Sequence, residues 1–228
     1  MQIIAHRGAS AERPENSLLA VERALEVGVD AIELDLLCSK DGRLIIRHDD
    51  LVQQAGRWHY VRELTLAELQ QVDLGAGERI PTLEQALERL RARCPLFLDL
   101  KAPGLATRLA DFLRRHSGRA SIHVTSALHA EIAEIARLRP DLERSIVVGS
   151  LPLRCEGLTR QVGTTQLSLP RSCLEQAVVE HLRAEGLRIR AYPVNLRREA
   201  ETFAAWGVEG IFTDDPAVMR PLRGTPTP

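Results

Sequence analysis

Apolar residues occur along this chain in two kinds of segment that alternate. Short runs rich in Ile, Val and Leu are separated by longer stretches in which apolar residues recur at helical spacing. The short runs predict the eight strands QIIAH, AIELDLL, LFLDLK, IHVTS, SIVVGS, TQLSLP, RIRAYPV and GIFTDD. Eight such units in 228 residues predict an α/β fold, the (β/α)8 TIM barrel. A doubly wound open sheet is the alternative.

The ends of the segments help to divide the chain. The first helical stretch, SLLAVERALEVG, has Asn16 as its candidate N-cap and Gly28 as its C-terminal stop. The stretch from GRLIIRHDD to DLGAGERIP breaks the alternation and predicts an extra strand with a small insertion between barrel strands 2 and 3. We therefore expect one catalytic barrel domain over residues 1–222 and a frayed tail over residues 223–228.

Composition excludes several classes of protein. With 30 basic and 31 acidic residues the formal net charge is -1, so no overall field favours nucleic acid or an anionic membrane. No apolar run reaches the roughly 18 residues that an integral membrane segment needs, and a first strand ending at His6 leaves no room for a signal peptide. The cysteines are widely spaced, which predicts free thiols in a cytoplasmic protein. They are Cys38, Cys94, Cys155 and Cys173.

Polar residues gather near the C-terminal ends of the predicted strands, where a barrel forms its active site. The set is His6, Arg7, Glu33, Asp35, His48, Asp99 and Lys101. Glu33 and Asp35 are two residues apart on one strand, so both side chains point to the same face. A buried pair of like charges is costly without a cation. Together with Asp99, the pair gives three carboxylates, which are suitable oxygen ligands for Mg²⁺ or Ca²⁺.

The other four residues of this set suggest the reaction. His6 and His48 have side chains suited to general acid and base catalysis near neutral pH. Arg7 and Lys101 would stabilise the charge of a phosphoryl group. The seven residues together favour cleavage of a phosphodiester.

The order of these motifs resembles a known family. The segment AHRGAS…RPENSLLAVERALEVGVDAIELDLLCSKDGRLIIRHDD combines H-R-G, P-E-N, E-L-D, D-G and H-D, and the likeness continues through IPTLEQAL, LDLK, YPVN and GVEGIFTDDP. It resembles the glycerophosphodiester phosphodiesterases, within the phospholipase-C-like phosphodiesterase superfamily. The resemblance implies a metal-dependent barrel that hydrolyses glycerophosphodiesters, its small-molecule substrates, to sn-glycerol 3-phosphate and an alcohol. Mn²⁺ is a third candidate ion.

By the same resemblance, His6 and His48 would be the acid/base pair, Glu33 and Asp35 metal ligands, and Lys101 would face the phosphate beside Arg7. The implied mechanism begins with attack of the glycerol 2-hydroxyl on phosphorus to give a cyclic phosphate, which water then opens. One histidine would take the hydroxyl proton while the other protonates the leaving alcohol.

This sequence departs from the family pattern at three places. Asp99 stands where the family usually has Glu, YPVN replaces W-T-V-N, and Ala127 replaces Phe in S-F. The last two changes are expected to thin the aromatic wall around the substrate. A lysophospholipase D-like phosphodiesterase and a catalytically weakened phosphodiester-binding barrel therefore stay open as alternatives.

Several other polar and aromatic residues have a structural explanation. Asn16 is placed either to cap its helix or to reach the site, and Trp58 and Tyr60 either to cap a substrate or to pack the insertion. Asp214 and Asp215 are expected to cap the turn before Pro216. The remaining histidines are expected to make structural hydrogen bonds. They are His59, His116, His123, His129 and His181.

Overall fold

Eight parallel strands close into a barrel in the computed structural model, which describes residues 1–54, 56–116, 121–151 and 155–224. In chain order the strands are β1 Gln2–His6, β2 Ala31–Cys38, β3 Leu44–Ile46, β4 Leu51–Gln54, β5 Arg57–Tyr60, β6 Asp73–Gly75, β7 Glu78–Arg79, β8 Leu96–Leu100, β9 Ile122–Ser126, β10 Glu143–Val147, β11 Gln166–Pro170, β12 Arg188–Tyr192 and β13 Gly210–Thr213. The barrel consists of β1, β2 and β8 to β13. Because β1 pairs with both β2 and β13, these eight strands form a closed ring and the predicted TIM barrel is confirmed.

Helices connect the strands along the described part of the chain. They are α1 Leu18–Val27, α2 Leu66–Leu69, α3 Leu83–Leu90, α4 Leu105–Arg115, α5 His129–Leu138, α6 Cys155–Gln161, α7 Gln176–Ala184, α8 Arg197–Trp206 and α9 Pro216–Met219. Within the described residues, no helix is long and apolar enough to cross a membrane.

Strand alternation separates an outer core from the barrel interior. Outward residues such as Ile3 and Ile32 pack in the main apolar cluster beneath the helices. Inward residues form a separate small cluster in which Phe97 and Phe212 meet edge to face, with ring centroids 5.7 Å apart. This small apolar cluster occupies part of the barrel interior, and buried polar side chains such as Glu33 occupy other inward positions.

The first helix begins one residue later than predicted. Ser17, not Asn16, is its N-cap, because the Ser17 hydroxyl accepts a hydrogen bond from the Ala20 backbone N–H. Asn16 has a left-handed backbone with φ 57° and its side chain turns into the barrel. The predicted end at Gly28 is correct, since Gly28 has φ 81° and donates to the carbonyl of Ala24.

The glycine of H-R-G is required by two local constraints. Gly8 has φ +80°, and a Cβ there would lie 2.7 Å from the backbone of Ala20 in α1. Any other residue at position 8 would therefore be strained and would push α1 away from the loop after β1.

The insertion between barrel strands 2 and 3 is confirmed. It starts with β3, which pairs antiparallel to β2, and continues as the hairpins β4–β5 and β6–β7 with α2 between them. Its own apolar cluster includes Val52, Val61 and Ile80 and packs against Leu37 at the end of β2. Of the predicted tail, residues 225–228 lie outside the described part of the chain.

Candidate active site

A cavity of about 360 Å³ opens at the C-terminal ends of the barrel strands. Six of the seven residues singled out from the sequence line it, namely His6, Arg7, Glu33, His48, Asp99 and Lys101. The seventh, Asp35, lies buried behind them and contacts Arg7 and Lys101. All seven side chains therefore meet in one place, although they come from four separate segments of the chain.

Three buried carboxylates form the floor of the cavity. Glu33, Asp35 and Asp99 each offer an oxygen within 4.8 Å of the others. Burial raises the pKa of Glu33 well above its usual value, and the charges of Asp35 and Asp99 raise it further. Burial also raises the pKa of Asp99. Such crowding of acidic groups is destabilising without a cation.

One oxygen of this cluster has no partner among the described residues. Asp99 Oδ1 is buried and makes no hydrogen bond, while Asp99 Oδ2 lies 2.5 Å from the Lys101 ammonium. A buried carboxylate oxygen without a hydrogen bond is costly. The unpartnered oxygen and the all-oxygen donor set fit a hard divalent cation.

Asp35 is the carboxylate most strongly held by cations. Its Oδ1 lies 3.0 Å from Lys101 Nζ, and its Oδ2 lies 3.2 Å from Arg7 Nε and accepts a 2.8 Å hydrogen bond from Asn16 Nδ2. Burial alone would raise the pKa of Asp35, but Lys101 and Arg7 outweigh it and the pKa is lowered. Burial likewise opposes the charge of Lys101, yet Asp99 and Asp35 hold its pKa above the usual value.

Arg7 is fixed by its backbone as well as by its side chain. Its φ of 58° is in the left-handed region, and its backbone N–H donates a 2.9 Å hydrogen bond to Glu33 Oε2. A terminal guanidinium nitrogen pairs with Glu15 at 2.8 Å. A left-handed conformation at a non-glycine residue costs energy and occurs where the surroundings enforce it, which here are the contacts to the carboxylate floor.

His6 has a carboxylate partner that sequence analysis missed. Its Nδ1 lies 2.7 Å from Asp214 Oδ1. Asp214 is held in turn by Asn195, whose amide donates a 2.6 Å bond to Oδ2, and by the Ser10 hydroxyl at 3.2 Å from Oδ1. The hydrogen bond to His6 is the largest cause that lowers the pKa of Asp214 to about 2. Because Nδ1 is engaged, Nε2 is the ring nitrogen available to a substrate.

The predicted cap at this position is only half right. Asp215 does cap α9, since its side chain accepts a hydrogen bond from the backbone N–H of Val218. Asp214, expected to do the same, faces His6 instead. The available signal was its position at the end of the last strand, which a closed barrel places beside the first strand.

His48 has a similar contact in a different setting. Its Nδ1 lies 2.8 Å from Asp49 Oδ1. The His48 side chain is 36% exposed and that of Asp49 is 66% exposed. His48 therefore faces the cavity from an exposed loop after β3.

The upper wall of the cavity contains the positions that depart from the family pattern. Tyr192, Pro193 and Ala127 all line it. The Tyr192 hydroxyl donates a 2.8 Å hydrogen bond to the carbonyl of Val148, so an aromatic ring is fixed there. Ser168 also lines the cavity, and its buried hydroxyl has no hydrogen-bond partner among the described residues.

Trp58, Tyr60 and His123 lie apart from this cavity. The described lining includes neither Trp58, which is 66% exposed, nor Tyr60. His123 stacks on Phe97 below the site and hydrogen-bonds Ser145 at 2.9 Å. Burial lowers the pKa of His123 well below its usual value, so it is a neutral, structural residue.

The chain is similar to known proteins over most of its length. Residues 6–218 match the sequence profile of the glycerophosphoryl diester phosphodiesterase family. The chain is 31% identical to YhdW of Bacillus subtilis (strain 168) over 232 residues, which cover 95% of each protein. It is 28% identical to the glycerophosphodiester phosphodiesterase of Caldanaerobacter subterraneus subsp. tengcongensis over 231 residues, again 95% of each.

A solved structure shows the same relationship. An Oleispira antarctica phosphodiesterase, in complex with the product sn-glycerol-3-phosphate, matches with a TM-score of 0.90 and 26% identity over 97% of this chain and 96% of the other. The barrel fold and the sequence match over most of the chain agree. The chain therefore belongs to the glycerophosphoryl diester phosphodiesterase family, whose members are phosphodiester hydrolases.

Proposed function

We propose that this protein hydrolyses glycerophosphodiesters to sn-glycerol 3-phosphate and an alcohol, with His6 and His48 as the acid/base pair. The observation that carries the proposal is the arrangement of one cavity, in which two histidines, each bonded through Nδ1 to an aspartate, share the wall with the buried carboxylates. The product bound to the Oleispira relative supports the same substrate class.

A divalent cation is part of the proposal, with Glu33, Asp35 and Asp99 as its ligands. Mg²⁺ and Ca²⁺ suit the oxygen donors, and Mn²⁺ is a third candidate. When bound, such an ion would offset the repulsion between the carboxylates and withdraw charge from a phosphoryl oxygen. The unpartnered Asp99 Oδ1 is the feature of this chain that most directly supports the site.

The phosphate would lie between this floor and the cations at its edge. Lys101 is held by Asp35 and Asp99, so its ammonium is already oriented before substrate arrives. Arg7 is likewise held by Asp35 and by its own backbone contact to Glu33. Two oriented cations stabilise the charge that develops on the phosphoryl oxygens without reorganising during the reaction.

The two histidines would move the protons. One accepts the proton of the glycerol 2-hydroxyl as its oxygen bonds to phosphorus, and the bond from phosphorus to the alcohol oxygen breaks. The other histidine donates its proton to that leaving oxygen. The histidines exchange these roles when water opens the cyclic phosphate, which restores both protonation states.

The test is release of sn-glycerol 3-phosphate from glycerophosphocholine and glycerophosphoethanolamine by protein treated with chelator and then supplied with Mg²⁺, Mn²⁺ or Ca²⁺. We expect turnover to be lost on chelation and regained with at least one ion. Turnover that persists in chelator would remove the metal from the proposal. No turnover with any ion, on these diesters or on lysophosphatidylcholine, would favour the phosphodiester-binding barrel.

A further inference from the structure

A second cavity, of about 370 Å³, lies beside the catalytic one on the same end of the barrel. It is enclosed by the loop after β2, the insertion and the start of α4. Its charged lining consists of the four cations Lys40, Arg62, Lys101 and Arg108 and the single carboxylate Asp50. We call it the basic cavity.

The cations of the basic cavity are poorly compensated by the protein itself. Lys101 is balanced by the catalytic carboxylates. Within the described residues, Arg62 and Arg108 form no ion pair, and Lys40 interacts with Glu68 only at longer range. The positive charges that line the basic cavity repel one another, and an anionic ligand bound between them would reduce that repulsion.

Two observations join the basic cavity to the catalytic one. Lys101 lines both of them. Asp50 in the basic cavity comes two residues after His48 in the catalytic cavity. A phosphate bound at Lys101 would therefore lie where the two linings meet, and the basic cavity is the adjoining space for the second alcohol of a diester.

The lining disfavours a cationic headgroup. Quaternary ammonium groups are bound over aromatic rings, and the described lining of the basic cavity contains none. Tyr60, which directly precedes the lining residues Val61 and Arg62 in the chain, is already covered by the guanidinium of Arg62, 4.1 Å from the ring centroid. The same cations would repel a choline group.

We propose that the basic cavity binds an acidic group, phosphate or carboxylate, carried by the leaving alcohol of the diester. This inference rests on the proposed function and narrows its substrate class to glycerophosphodiesters with an anionic headgroup. Arg62 and Arg108 are the specificity-determining residues, because Lys101 is shared with the reaction itself.

The experiment compares three substrates on three proteins. The substrates are glycerophosphocholine, glycerophosphoglycerol and the terminal phosphate ester of glycerophosphoglycerol. The proteins are the wild type, the double variant Arg62→Gln/Arg108→Gln, and the control Arg114→Gln/Arg115→Gln, which removes two exposed charges from the other end of α4. Calorimetric binding of the phosphate ester is measured in parallel on each protein carrying His6→Ala.

We expect kcat/KM of the wild type to be at least about tenfold higher for the phosphate ester than for glycerophosphoglycerol, since charge-assisted contacts of this kind are worth about 1.4 kcal/mol or more. The Arg62→Gln/Arg108→Gln variant should lose this preference and bind the phosphate ester about tenfold more weakly, whereas the α4 control should keep both.

Equal kcat/KM for the neutral and acidic substrates in the wild type would overturn the inference while leaving the proposed function intact. A second result would also overturn it. If inorganic phosphate changes the turnover of glycerophosphocholine in the wild type but not in the Arg62→Gln/Arg108→Gln variant, and the wild type shows no preference among the diesters, the cavity binds a free anion and not the leaving alcohol. If no diester is cleaved, the proposed function fails, and the calorimetric measurement then tests the anion site by itself. Equal affinity of the wild type and the double variant for the phosphate ester would overturn the site.

Discussion

The two histidines of the candidate active site are held in very different ways. His6 lies at the end of a barrel strand with its side chain 19% exposed, and its partner Asp214 is fixed by further hydrogen bonds from Ser10 and Asn195. His48 lies on a loop, 36% exposed, and its partner is the adjacent and largely exposed Asp49. The His6 imidazole is therefore fixed by contacts within the barrel, whereas the His48 imidazole lies on an exposed loop at the edge of the cavity.

This difference indicates that the His6 side chain is held rigidly, whereas the His48 side chain is more accessible to solvent. The Asp214 carboxylate has its orientation set before substrate binds, so His6 presents one nitrogen in one direction. An exposed pair such as His48 and Asp49 is screened by water and contributes little to fixing either side chain. We expect both histidines to be required for the reaction but only one to depend strongly on its aspartate.

The largest effect should come from removing either imidazole. We expect His6→Ala and His48→Ala each to lower kcat by about 10²- to 10⁴-fold, because each removes a proton-transfer group. Steady-state kinetics on glycerophosphoethanolamine, with thermal unfolding to verify folding, provides the measurement. Near wild-type kcat in either folded variant would exclude the two-histidine mechanism.

Replacing the aspartate beside each histidine should distinguish the two histidines more clearly than replacing the histidines themselves. We expect Asp214→Asn to lower kcat/KM by about 10- to 100-fold, the effect of losing a residue that orients another. The matched variant Asp49→Asn should change it by less than about threefold, as for other exposed ion pairs. Equal losses in both variants would contradict the comparison.

The smallest effect concerns stability in acid. Because the pKa of Asp214 is lowered from 3.8 to about 2, the folded state binds its proton less tightly than the unfolded chain does. The stabilisation is complete above the unfolded value and is lost as pH falls through about 2. Asp214 is a third exposed, so we expect a contribution of at most about 1 kcal/mol.

Urea unfolding of wild type and Asp214→Asn at pH 6 and pH 3 measures this contribution. The difference in free energy of unfolding between the two proteins should be smaller at the lower pH. A difference that grows in acid would mean that the carboxylate of Asp214 is not the stabilising form.

The barrel could be predicted from the sequence because parallel strands buried on both faces appear as short apolar runs. The same logic placed Glu33, Asp35 and Asp99, since a carboxylate within such a run has to face the interior. Both patterns involve residues that are close together in the chain, so they can be recognised from the sequence alone.

Asp214 was missed because its role depends on a neighbour 208 residues away. Its local setting, two aspartates before a proline, has a sufficient explanation as a helix cap, and Asp215 does fulfil that explanation. For Asn16 the sequence left two predictions open, a helix cap and contact with the site, and the structure bears out the second. Its position suggests a cap, but a left-handed backbone directs its amide to Asp35, leaving the cap to Ser17.

Closure of the barrel between β1 and β13 also has a consequence for synthesis. All seven residues predicted from the sequence are present once the ribosome has passed Lys101, yet His6 receives its carboxylate only when the final strand docks beside the first. A nascent chain therefore contains all seven residues before it contains the aspartate that orients His6. The orientation of His6 is for this reason a property of the complete barrel, in which the last strand pairs with the first.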